Sequence, residues 1–167
     1  MRPLESLTLK SSVISNMAAE HKRDCAFHEA GHCVAAAHFE LTWRSYIWRV
    51  HKKLRWGEMF YSGITYRQAT TNFNEAVIGW AGPIAELQQD GELPYALSPE
   101  LFKDELGGEL SPSDDASIKC HRQKQRTFDT AANIIRDHWH DLEKIARRLI
   151  RQGHAGTGRF YNDEHAK

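Results

Sequence analysis

Two histidines stand four residues apart with a glutamate beside the first, in His28-Glu29-Ala30-Gly31-His32. On an α-helix four residues advance the chain by about 400°, so the two imidazoles project one turn apart from one face. Such a pair can offer two nitrogens to a single tetrahedral zinc ion. Glu29, next to the first ligand, can then reach a zinc-bound water as general base. A solvent-facing helix that happens to carry two histidines is the bland alternative, since the chain has 10 histidines. The surroundings argue against it. From Ala26 to Ala37 the sequence is rich in small and apolar residues, which predicts a buried helix. Burying two imidazoles and a carboxylate without partners is costly, and a metal removes that cost.

A catalytic zinc takes three protein ligands and keeps one position open. Four residues compete for the third place. His38 has the ligand spacing of H-E-x-x-H-x-x-G-x-x-H, but Ala35 stands where that pattern needs a glycine, and Ala35-Ala36-Ala37 favours continued helix. Cys25 shares the face of His28 and His32 and with Cys120 could close an inert Cys₂His₂ site; a small buried hydrophobe is its simpler reading. Glu86 sits in the apolar run Gly82-Pro83-Ile84-Ala85-Glu86 of a following helix. Asp115 lies in the first turn of a later helix, where acids are ordinary because they complement the free N–H groups. Asp114 already fills that capping position, which leaves Asp115 free to point elsewhere. Spacing alone leaves Glu86 and Asp115 open.

The elements that must position these residues give an α+β fold, mainly helical. The histidine helix packs with further helices and a small β-hairpin or sheet. Asn16 is the expected N-cap of a first helix from Met17 to Phe39. Trp43–Val50 and Trp56–Tyr61 read as two strands joined by a turn at His51–Arg55. Asn72 and Glu75 resemble a capping box opening a helix from Phe73 to Gln89, with Gly79 and Gly82 as a smooth patch for close approach. Pro83 predicts a kink or break there. Asp90–Leu110 reads as an irregular connector with one short helix near Pro99–Glu105. Ser111-Pro112-Ser113-Asp114 starts a helix running to about His138. An amphipathic helix, His140–Gln152, ends at Gly153. The domain expectation is an extension over 1–15, one domain over 16–152 and a flexible tail over 153–167.

Twenty-two basic and 22 acidic side chains cancel in a chain of 167 residues. This gives no electrostatic reason to expect nucleic acid or an anionic membrane. No stretch reaches the roughly 20 apolar residues of a membrane span, and the first residues lack a signal-peptide core. Three cysteines suit a reducing cytoplasm better than a disulfide framework.

The chain resembles the peptidase domain of FtsH-type ATP-dependent zinc metalloproteases. Ala26-Phe27-His28-Glu29-Ala30-Gly31-His32 is similar to that family's zinc helix, and Trp56-Gly57-Glu58-Met59-Phe60-Tyr61 to the strand after it. Ile78-Gly79-Trp80-Ala81-Gly82-Pro83-Ile84-Ala85-Glu86-Leu87 resembles its small-residue helix, and Leu142–Leu149 its last helix. Ser113-Asp114-Asp115 falls where the family has Ser-Asn-Asp. The resemblance covers about Met17 to Gln152. It implies His28, His32 and Asp115 on one zinc ion, with Asp114 as the alternative third ligand, Glu29 as base and Glu86 in a supporting role. The chain departs from the family at Pro83, at Ser111-Pro112 and in lacking any G-x-x-x-x-G-K-[ST] phosphate loop.

The expected function is therefore a zinc metallopeptidase that cuts peptides or unfolded and flexible proteins without ATP. A zinc-stabilised partner-binding module without catalysis is the alternative from another class. A regulatory peptidase with one dedicated protein substrate is a third reading. Oligomeric state, natural substrate and cleavage specificity have no signature in the sequence.

Overall fold

The computed structural model describes residues 4–50, 60–91, 98–100 and 110–157. Helix α1 spans Leu4–His38. Asn16 lies inside it rather than at its start, because neither proline nor an early glycine interrupts the run before Gly31. The helix is continuous through residues 15 and 16. The helix closes in a Schellman turn: Glu40 takes φ 57°, Glu40 N–H donates to Ala37 O at 2.9 Å and Leu41 N–H to Ala36 O at 3.0 Å.

Strands β1 (Trp43–Arg49) and β2 (Tyr61–Arg67) pair antiparallel with Ser45 opposite Thr65. The second strand thus lies later than expected; residues 51–59, including the turn His51–Arg55 and Trp56, fall outside the described residues. The Ile64-Thr65-Tyr66 run gives β2 its β-branched and aromatic character. Strand β3 (His154–Gly156) adds to the other side of β1, giving the order β2-β1-β3. Part of the supposed flexible tail is therefore ordered sheet. Its sequence, His-Ala-Gly, carries no strand signal, and long-range pairing with Arg44–Tyr46 supplies the order. Trp43 and Ile47 face the core, whereas Trp48 is exposed.

Helix α2 spans Asn72–Gln89, capped by Thr71, whose Oγ accepts from Asn74 N–H at 3.3 Å. The helix runs through Pro83 without a break, although proline has no N–H for the carbonyl four residues back. Glu75 is not a capping-box partner; its carboxylate forms a two-pronged pair with Arg67, one prong at 2.6 Å. Helices α3 (Pro112–Lys119) and α4 (Lys124–Asp137) replace the single helix expected there. Ile118 and Thr127 are both fully buried. Nine residues at about 100° each would put them on opposite faces of one straight helix, so the chain breaks between them. Helix α5 (Trp139–Gln152) ends at Gly153, with φ 76°. The short helix expected near Pro99–Glu105 falls mostly outside the described residues.

Helix α1 packs on α2 and α5 and carries the sheet. Its contact with α2 is backbone-close: a Cβ on Gly31 would lie 2.3 Å from Ala81 O. Trp80 meets Phe128 edge-on at 5.2 Å in the core between α2 and α4. Among the described residues no helix is long and apolar enough to cross a membrane.

Candidate metal centre

The tight α1–α2 contact points His28 and His32 at α2 and at the first turn of α3. Their rings stand nearly perpendicular, with centroids 4.8 Å apart. Nε2 of His28 lies 3.2 Å from Oδ2 of Asp114, and Nε2 of His32 lies 3.2 Å from Oδ1 of the same carboxylate. The other ring nitrogens are also held. His28 Nδ1 is 3.0 Å from Glu86 Oε2, and His32 Nδ1 is 2.8 Å from the Ile78 carbonyl oxygen.

A carbonyl oxygen only accepts, so His32 Nδ1 must be the donor, and the same holds for His28 against the Glu86 carboxylate. A neutral imidazole then turns its Nε2 lone pair toward Asp114. Two lone pairs facing one carboxylate at 3.2 Å repel unless a cation lies with them, either a metal ion or added protons. The electrostatics of the metal-free site follow. Burial alone would lower the His28 imidazole, but its bonds to Asp114 and Glu86 hold it well above the usual histidine value. Burial likewise would raise Asp114, yet the charge of His32 and the bonds from both histidines hold its carboxyl well below the usual range.

One nitrogen from each histidine and one Asp114 oxygen, all within 4.8 Å of one another, form a group that could hold a metal ion. Ligand atoms on a tetrahedral zinc with bonds of about 2.1 Å are roughly 3.4 Å apart, close to the observed 3.2 Å. Two imidazoles fixed through Nδ1 and one carboxylate are a donor set that fits zinc.

Asp115, expected as the third ligand, does not join the group. Its carboxylate pairs with Lys119 one turn along α3, and Asp114 takes the place. Asp114 also keeps its capping role: its N–H donates to Ser111 Oγ at 3.2 Å, and that hydroxyl donates to Oδ2 at 2.6 Å. Capping and the histidines do not compete for Asp114, because its carboxylate reaches both the cap serine and the two imidazoles. Glu86 meets His28 Nδ1, the contact expected of a supporting residue. His38 meets Phe39 and His138 edge-on at the end of α1. Cys25 is partly buried beside the histidines, its thiol pushed up to about 12 by burial and by Glu29 and Glu86. Cys120 is exposed and donates to Ala116 O in its own helix, so no Cys₂His₂ site forms.

The cluster opens on a cavity of about 730 Å³ that Glu29, Thr65, Gly63 and Leu110 also line. Glu29 is buried. Thr65 Oγ1 donates to its Oε2 at 2.6 Å. A Cβ on Gly63 would lie 2.6 Å from Glu29 Cγ and Oε1, so β2 passes directly over the carboxylate. Neither Thr65 nor Gly63 was singled out from sequence; the alternation Gly63-Ile64-Thr65 was the available signal. The Ile78 carbonyl carries no side-chain signal at all.

The chain matches no protein-family model and no curated protein.

Proposed function

We propose that the protein is a zinc-dependent metallopeptidase acting on peptides and on unfolded or flexible protein segments. The observation that carries this reading is the convergence of both Nε2 atoms on Asp114 while both Nδ1 atoms are tied to acceptors. Such a cluster calls for a cation, and it lies beside a buried glutamate in an open cavity. His28, His32 and Asp114 hold the zinc, which when bound supplies a Lewis acid and lowers the pKa of a coordinated water. Glu29 is the base: its carboxylate takes a proton from the attacking water and returns it to the leaving amine. The resemblance of Ala26–His32 and Ile78–Leu87 to FtsH-type peptidases supports the same reading.

The sheet supports a place for the substrate. Val50 N–H donates to Phe60 O and Gln68 N–H to Thr42 O, so even-numbered residues of β2 turn their main chain toward β1. Odd-numbered residues turn theirs outward. Tyr61 N–H does so and meets His21 Nδ1 at 3.0 Å. Gly63 and Thr65 direct theirs the same way, at what is the edge of the sheet among the described residues and along the cavity. An extended peptide added to that edge lies along the metal cluster. The strand that would receive substrate in this reading is β2.

Hydrolysis of unfolded casein by the zinc-loaded protein, run beside Glu29→Gln, tests the reading. Cutting by the wild type, with a variant that keeps its zinc and loses at least 100-fold in rate, supports it. A wild type that holds zinc and leaves casein and short peptide libraries intact overturns it in favour of a binding module or a dedicated substrate.

A further inference from the structure

We propose that Thr65 is the positioning residue of Glu29, so that the edge strand that receives substrate also sets the base. The consequence for turnover rests on the peptidase reading; the contact does not.

Glu29 is next to a ligand in sequence, but its carboxylate is held from the sheet. Thr65 Oγ1 donates to Oε2 at 2.6 Å and also lies 3.4 Å from the Glu29 main-chain oxygen. The hydroxyl has its own support. Ser45, fully buried and opposite Thr65 in register, places Oγ 3.0 Å away, and Cys33 Sγ lies 3.8 Å away. Gly63, on the same face of β2, leaves the space that the other carboxylate oxygen occupies. One oxygen is thus pinned by a charge-assisted hydrogen bond, and the other rests against bare backbone. A glutamate has three side-chain torsions to fix, and a base acts only within hydrogen-bond reach of its proton. Thr65 fixes them from a strand whose main chain, at that same residue, faces outward to where an extended peptide would pair.

The test compares wild type, Thr65→Val and Thr65→Ser. Valine keeps the shape and removes the hydroxyl; serine keeps the hydroxyl. In the zinc-loaded proteins, Thr65→Val is expected to lower kcat by about 10- to 100-fold with KM within about twofold and one zinc retained. Thr65→Ser is expected to return most of that loss. Unchanged kcat in a folded, zinc-loaded Thr65→Val, or equal loss in the serine variant, overturns the proposal. A second readout needs no activity: the thermal midpoints of the zinc-free proteins in a cycle with Glu29→Leu. Thr65→Val is expected to lower the midpoint by a few degrees with Glu29 present and much less with leucine there. Equal shifts in both backgrounds overturn the contact. If the wild type cuts nothing, the peptidase reading fails by itself, and this cycle still decides the contact.

Discussion

Gly82 of α2 lies directly against His32 of α1: a Cβ there would come within 2.5 Å of both Cε1 and Nε2 of the imidazole, and 3.0 Å from His28 Nε2. The helix crosses the two histidines with only a hydrogen to spare. This relationship explains why small residues crowd the sequence before Glu86, and it leads to the first prediction.

Gly82→Ala pushes its methyl group into the imidazoles. Overpacking of this kind costs about 1–3 kcal/mol, and the displaced rings no longer converge on Asp114. Both the thermal midpoint and zinc affinity are expected to fall, the affinity by at least tenfold in a chelator competition. Wild-type affinity in the folded variant would show that the rings do not need this clearance.

Glu86 orients His28 through Nδ1 at 3.0 Å. Removing such a partner typically lowers metal affinity by about 10- to 100-fold. Glu86→Ala is expected to show that loss with all three ligands intact, whereas Glu86→Gln, which can still accept, loses less. Equal affinities for all three proteins would remove Glu86 from the site.

Gly63→Ala separates the base from the metal. Its Cβ would collide with the Glu29 side chain, whose Cγ and Oε1 are its nearest neighbours at 2.6 Å. The expected result is one bound zinc per chain and a kcat lowered at least tenfold, read by zinc analysis beside casein hydrolysis. Full turnover would mean that Glu29 has another working position.

The metal-free protein has a pH signature. His28 is raised above its ordinary 6.5 when folded, with burial opposing and its bonds to Asp114 and Glu86 prevailing. Its contribution is fully present below about pH 6.5 and is lost as pH rises through the raised value. Asp114 is lowered from 3.8, so its contribution is present above that pH and is lost as pH falls through the lowered value. Unfolding midpoints of the metal-free protein are expected to peak between these limits and decline on the alkaline side. His28→Gln is expected to abolish the alkaline decline. A wild-type profile flat above pH 6.5 would contradict the assignment.

Much of this site was legible because it is local. The i, i+4 pairing of His28 and His32 and the small-residue run around Gly82 follow from helix geometry alone. The choice between Asp114 and Asp115 was not, since adjacent helix residues differ by about 100° and only the docking of α3 on α2 decides which faces inward. That docking rests on Gly79, where a Cβ would meet Ser117 at 2.9 Å, a contact between helices far apart in the chain. Strand β3 was invisible for a related reason: His154-Ala155-Gly156 is strand only because β1 offers an edge. The break between α3 and α4 follows from the half-turn mismatch of Ile118 and Thr127, which shows only once Thr127 is seen to be buried.

Zinc titration of wild type, Asp114→Ala and Asp115→Ala tests the centre most directly. Wild type and Asp115→Ala are expected to bind one zinc per chain with similar affinity, and Asp114→Ala to bind at least tenfold more weakly. Loss of zinc in Asp115→Ala with retention in Asp114→Ala, or no zinc bound by the folded wild type, would contradict the site described here.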